Sequence, residues 1–179
     1  MLRTLVSASA LALAAASASF AGQGNFTYGI GYSTVNVTDS TASVDVGAVT
    51  LRGDYQFTRH FGFEGQVDFG VSDDTIIVAN TPVDVELNYA ISGFVIARAP
   101  VSENANLFAR VGYATADVGA SVPGVSITDS LDGFGFGVGG EYFFDARNGF
   151  RVDYTNYDFG NSDANVYGIT YVRRFGGGR

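Results

Sequence analysis

The sequence predicts an all-β chain: an eight-stranded antiparallel up-and-down transmembrane β-barrel with short turns at one end and longer loops at the other. Three observations lead there. Beyond residue 21 no stretch keeps a helical period; apolar residues instead alternate with polar or small ones in segments of about ten residues. The segments number eight, and their connections alternate between short and long. Finally, 24 Gly, 10 Tyr and 15 Phe against 3 Pro favour pleated strands joined by tight turns.

The first segment, residues 25–35, sets Phe26, Tyr28, Ile30 and Tyr32 against Gly29, Gly31 and Ser33. The second, 48–57, sets Val49, Leu51, Tyr55 and Phe57 against Thr50, Arg52, Asp54 and Gln56. In the third, 61–71, Phe61, Phe63, Val67 and Phe69 oppose Glu64, Gln66 and Asp68. The fourth turns Val85, Leu87, Tyr89, Ile91 and Val95 away from Glu86, Asn88, Ser92 and Arg98. In the fifth, Leu107, Ala109, Val111 and Tyr113 oppose Arg110 and Gly112. The sixth, 133–144, puts glycine at 133, 135, 137 and 139, with Phe134, Phe136 and Val138 between. The seventh, 150–157, opposes Phe150, Val152 and Tyr154 to Arg151, Asp153 and Thr155. The eighth, 166–175, opposes Tyr167, Ile169, Tyr171 and Phe175 to Gly168, Thr170 and Arg174.

Short turns ("TRH", "PVSENAN", "DARNG") alternate with longer, more acidic loops around 37–45, 72–83, 117–130 and 158–164. A tilted strand of about 9–11 residues crosses a bilayer. In lipid the sheet must close, because each unpaired edge N–H or C=O costs several kcal/mol. The bulky face of every segment carries the aromatics, and the other face is small or charged. An eight-stranded interior is only wide enough for side chains to fill, so the small face belongs inside and the bulky face meets lipid. A soluble eight-stranded barrel would invert that arrangement. In these registers the charge with outward parity is Arg173, near a strand end, where a lipid-facing charge costs little. Aromatics gather at both strand ends, as interfacial girdles require.

Residues 1–21 read as a separate, cleaved signal peptide: Arg3, an apolar run, then Ser19-Phe20-Ala21 as a small-x-small cleavage site. Residues 22–179 form the barrel domain. There is no Cys, so no disulfide and no thiolate chemistry. The formal charge is −8, from 18 acidic and 10 basic residues, every basic one an Arg; this excludes a nucleic-acid partner, which needs a basic face. Gly135 to Gly140 satisfies G-x-G-x-x-G, but a strand end, a turn and another strand follow instead of a helix, so no dinucleotide site forms and no cofactor is expected.

The whole of 22–179 resembles the eight-stranded outer-membrane β-barrels of Gram-negative bacteria, the OmpA-type barrel domain and the OmpX- and opacity-like surface proteins often grouped as a porin family. The ending "VYGITYVRRF" is similar to the terminal strand such proteins present to the barrel-assembly machinery. Arg173 interrupts its alternation, and "GGGR" follows the aromatic. The resemblance implies an outer-membrane location, with outer-membrane lipid and lipopolysaccharide as surroundings; the peptidoglycan-binding module of full-length OmpA-type proteins is not expected, since no second domain is read after the barrel.

Inward parity gathers Arg52, Asp54, Glu64, Arg98, Arg110, Glu141, Arg151 and Asp153 in the lower lumen. Tight turns would set Asp54 beside Glu64 and Glu141 beside Asp153, with Arg174 near. Buried charges must pair, so the expectation is a polar plug and a structural, non-enzymatic surface role. The alternatives are a narrow porin-like channel gated by those ion pairs, or an adhesin acting on a host or matrix surface. Gly133, Gly135, Gly137 and Gly139 form an inward glycine face that makes room for Phe94 and Phe108. His60, in a periplasmic turn, is a poor catalyst, and no metal site is expected. The acidic outer loops hold Asp39, Asp73, Asp74, Asp117, Asp129 and Asp163, with no Arg among them.

Overall fold

The computed structural model describes residues 25–38, 43–72, 74–78, 81–122, 125–160 and 162–176; the leader proposed for 1–21 lies outside them. Strands β1 (Asn25–Thr38), β2 (Ser43–Gln56), β3 (Phe61–Gly70), β4 (Asp74–Val78), β5 (Thr81–Pro100), β6 (Ala105–Val122), β7 (Val125–Phe143), β8 (Asn148–Asp158) and β9 (Asp163–Phe175) follow in chain order. Every pairing is antiparallel, β9 pairs with β1, and β3 pairs with β5, so the sheet closes. β4 ladders with β5 above the end of β3 and continues the same stave. The result is a closed eight-stranded up-and-down barrel.

A line of paired residues from Gly29 runs through Arg52, Gln66, Ser92 and Ala114 to Gly133. Followed the other way, through Val172 and Gly149, it meets β7 again at Phe143. That stagger between Gly133 and Phe143 is the shear that tilts the strands and narrows the lumen.

The turns at the short end are held locally. Thr58 Oγ1 accepts from Phe61 N at 2.9 Å, and Val101 N donates to Ala105 O at 2.9 Å. Asp145 accepts from the backbone N–H groups of Arg147 and Asn148, both at 2.7 Å, and from the Asn148 amide at 2.8 Å. These bonds hold its carboxyl below the usual carboxylate range, the Asn148 side chain contributing most.

Three expectations change. The segment around 117–130 is no irregular loop: β6 and β7 stay paired up to Val122 and Val125, and β1 and β2 up to Thr38 and Ser43. Their outward polar residues break the apolar alternation, yet hairpins in water need pairing, not an apolar face. Second, a register shift between Leu87 and Tyr89 inverts the upper part of β5. Leu87, expected on the lipid face, turns inward against Val46, Ala48 and Ala116. Glu86 and Asn88, expected inward, are exposed. Third, Glu141 stands opposite Arg151 and Asp153 opposite Gly139, so Glu141 and Asp153 are not side by side. The Asp145-capped turn sets that register.

Candidate functional site in the barrel interior

Every strand alternates between the two faces, so inward positions of different staves meet on the axis. Outward lie Phe61, Phe63, Phe134, Phe136, Phe150 and Ile169, each at least half exposed. Toward the long hairpins this face turns polar. Asn36 donates to Asp45 at 2.9 Å, Asn88 to Asp117 at 2.7 Å, and Tyr154 to Asn165 at 2.7 Å. An apolar band rimmed by aromatics and ended by polar pairs is the outer surface of a membrane barrel.

The eight charged residues expected in the lumen are all buried there. They form two connected groups. In the lower one, Arg98 donates through Nη2 to Asp54 at 2.8 Å and through Nε to Glu141 at 3.0 Å. In the upper one, Arg52, Arg110 and Arg151 converge on two carboxylates. Glu64 accepts from Arg110 Nη1 and from Arg151 Nη1, the latter at 2.5 Å. Asp153 accepts from Arg52 Nη1 at 2.8 Å and Arg110 Nη2 at 2.7 Å, with Arg151 Nε at 3.3 Å. Asp54 and Glu64 are cross-strand neighbours, as expected. Like charges there repel, but each carboxylate turns to a different arginine. Arg174 joins neither group and lies over the Phe143 ring at 3.9 Å.

The network is larger than the charges alone. Asp68 is buried and bridged by Thr50 Oγ1 at 2.5 Å and Gln66 Nε2 at 2.8 Å. Gln66 accepts from Arg110 at 2.9 Å, and Thr155 Oγ1 accepts from the same guanidinium at 2.6 Å. The signal was available: Thr50, Gln66, Asp68 and Thr155 share the inward parity of Arg52, Glu64 and Arg151.

Aromatic rings stack on the arginines of the upper group. Arg151 lies over Phe108 at 3.9 Å and Arg110 over Phe94 at 4.3 Å. Above the ion pairs Phe94, Tyr157, Ala114, Ala164 and Val166 pack as one apolar cluster, and Val46, Ala48, Leu87 and Ala116 as another. Of this apolar ceiling, Phe94 alone was expected inside from the sequence.

Gly133, Gly135, Gly137 and Gly139 do face inward, and the space a side chain would fill is taken. A Cβ on Gly135 would stand 2.8 Å from the Tyr157 ring and 3.2 Å from Phe94; one on Gly137 would stand 2.6 Å from Thr155 Oγ1 and 2.9 Å from Arg110 Nε. On Gly139 it would meet Phe108 and, at 2.9 Å, Asp153 Cβ. The absent side chains are where the plug sits.

Of the acidic outer residues, Asp39 and Asp73 lie outside the described residues. Asp74 falls in β4 opposite Val85. Asp117 and Asp129 stand on β6 and β7 rather than in a loop, and Asp163 begins β9 opposite Asp158. His60 sits in the β2–β3 turn with Nδ1 at 3.1 Å from the Arg98 carbonyl oxygen.

These features define a class: small transmembrane β-barrels with a lipid-facing aromatic band and a filled interior. Solved structures share the fold. Ail of Yersinia pestis superposes with a TM-score of 0.66 at 17% identity, over 86% of this chain and 99% of its own. Neisserial surface protein A gives 0.69 at 11% identity, over 84% and 97%. OprG of Pseudomonas aeruginosa gives 0.67 at 12% identity, over 86% and 97%. Comparison with curated protein sequences finds no match. Residues 4–175 match the outer membrane protein beta-barrel domain family, and the chain belongs to it. It is an outer-membrane protein.

Proposed function

We propose that this protein is a non-conducting, non-enzymatic surface and envelope-structural protein: its filled interior braces the barrel and its long hairpins meet the outside. The sealed lumen carries the reading. Two ion-pair groups lie below two apolar clusters, and Arg151, Glu64 and Thr155 are 2%, 3% and 0% exposed. A channel would have to rearrange the ion pairs and also wet the apolar ceiling, and an apolar constriction blocks ions by dewetting. The lumen carboxylates of the two ion-pair groups are engaged by arginines, which supports the absence of acid–base chemistry. Planar-bilayer recording of refolded, heat-modifiable protein tests it. A flat trace is expected, and steady unitary currents from folded protein would sink it.

The hairpins support a surface-binding role of particular sign. β7 runs on from Phe134 to Val125 paired with β6, beyond the end of β8 at Asp158. Glu86, Asp129, Asp132 and Asp158 are exposed there, and the sequence places no Lys or Arg on that side. Ail has been solved in complex with the heparin analogue sucrose octasulfate. An acidic rim favours basic partner surfaces and repels sulfated ones. This chain is therefore expected not to be retained on heparin at physiological salt, and retention would refute the charge argument. The same reading takes 1–21 as a leader removed before Gly22, checked by N-terminal sequencing of outer-membrane material. It takes Val166–Phe175 as the segment the barrel-assembly machinery engages, so Phe175→Ala should slow assembly.

A further inference from the structure

Arg173 stands where the alternation calls for an apolar residue, between Tyr171 and Phe175 on the outward face of β9. The other arginines of the strands are accounted for inside: Arg52, Arg98, Arg110 and Arg151 are buried in ion pairs, and Arg174 lies over Phe143. Arg173 is exposed. It faces Tyr28 on β1 and Asn148 on β8, with the Phe175 ring 5.4 Å from its guanidinium carbon. Tyr28 packs edge-on to Phe175 at 5.5 Å, and Phe150 to Tyr171 at 6.0 Å. The guanidinium therefore sits in an aromatic collar at the periplasmic edge of the apolar band.

A second arginine lies on the adjoining turn. Arg174 N donates to the Arg147 carbonyl at 2.7 Å, which locks the β7–β8 turn against the end of β9. Arg147 is exposed and adjoins Asn148, the cross-strand partner of Arg173. Asp145, the carboxylate of that turn, is occupied by two backbone N–H groups and the Asn148 amide. Among the described residues neither Arg147 nor Arg173 forms a salt bridge, although the Arg173 charge acts on Asp145 from a distance, whereas Arg52, Arg98, Arg110 and Arg151 all do.

We infer that Arg173 and Arg147 form a headgroup site for a negatively charged phospholipid of the periplasmic leaflet. The collar fixes the depth at which phosphates lie. A guanidinium fork binds phosphate oxygens bidentately. Two cations beside one carboxylate leave a net positive charge, which an anionic headgroup neutralises and a zwitterionic one does not. A lipid-facing arginine, disfavoured in the hydrocarbon, costs little at this depth.

Native mass spectrometry of the refolded protein in neutral micelles, with phosphatidylglycerol or phosphatidylcholine added, tests the site. Wild type should keep phosphatidylglycerol through activation that strips phosphatidylcholine. The variant Arg147→Gln/Arg173→Gln should lose at least about tenfold in phosphatidylglycerol retention, the factor for a single lost charge-assisted contact. Arg147→Gln changes only a turn residue, folds independently of the strand change, and should lose part of that retention. Arg59→Gln, in the β2–β3 turn, should retain the lipid as wild type does. Heat-modifiability confirms folding in each case. Equal retention of the two lipids by wild type would overturn the proposal. So would unchanged retention in both the double and the Arg147→Gln variants, an equal loss in Arg59→Gln, or displacement of the lipid by millimolar inorganic phosphate.

Discussion

Replacing Glu64 with Ala removes one of the two carboxylates on which Arg52, Arg110 and Arg151 converge. It deletes three contacts: from Arg110 Nη1, from Arg151 Nη1 at 2.5 Å and from Arg151 Nη2 at 3.2 Å. Hydrogen bonds to charged groups contribute about 1.5–3 kcal/mol each, so the gross loss is roughly 4–9 kcal/mol. Part is recovered, because Arg110 and Arg151 keep Asp153. The net should match the measured effect of breaking a buried pair, about 3–5 kcal/mol. With a urea dependence of about 1–3 kcal/mol per molar, the midpoint should fall by roughly 1–5 M. Glu64→Gln retains the volume and one acceptor and should lose about half as much. Removing a surplus cation as well, in Glu64→Gln/Arg110→Gln, should return part of the loss, since residues in one network couple by about 0.5–3 kcal/mol. Folded fraction is read from the heat-modifiable gel shift across a urea series in lipid vesicles. An unshifted midpoint in Glu64→Ala would refute the view that the lumen is held by these pairs.

Gly137→Leu should block folding, since even a Cβ there lies 2.6 Å from Thr155 Oγ1; loss of the gel shift is the readout, and a normal shift would contradict the crowding argument. Leu87→Ala should cost about 2–4 kcal/mol as a buried large-to-small change, whereas a lipid-facing Leu87 would give a smaller change; vesicle-based urea titration separates the two. The depressed pKa of Asp145 makes a prediction with a definite sign. Its contribution to stability is fully present above the ordinary carboxylate value of about 4 and fades as pH falls through the lower native value. The difference in unfolding rate between wild type and Asp145→Ala should therefore be constant near neutrality and shrink at acidic pH.

Most of the barrel can be read from period alone, because a period of two fixes both faces of every stave. Arg52, Glu64, Arg110 and Arg151 are legible as a cluster for that reason: shared parity and similar distance from the turns force them together. Features that depend on a single inserted residue or a turn's internal bonding are not. The bulge beside Asn88 leaves no mark in an alternating sequence, so Leu87 and Glu86 are assigned to the wrong faces above it. The β7–β8 register rests on which atoms Asp145 caps, and a shift there exchanges the partner of Glu141. The water-exposed hairpins escape notice for a different reason: Asp117, Asp129 and Ser130 break the apolar pattern, while backbone pairing continues without it. The apolar ceiling was legible in part, since Phe94 and Tyr157 have inward parity within their segments, but Val46 stands before the second segment begins.

The lumen pairs are spokes rather than rungs. Arg98 on β5 reaches Asp54 on β2 and Glu141 on β7, and Arg52 on β2 reaches Asp153 on β8. Arg110 on β6 reaches Glu64 on β3, and Arg151 on β8 reaches the same carboxylate. None of these joins strands that share a ladder, so no hairpin or open sheet can satisfy them. A half-assembled sheet would carry eight charges that must stay hydrated until the last seam, β1 against β9, zips shut. Closure and dehydration of the interior are thereby one event, and the finished cross-section is braced against flattening along several diameters at once.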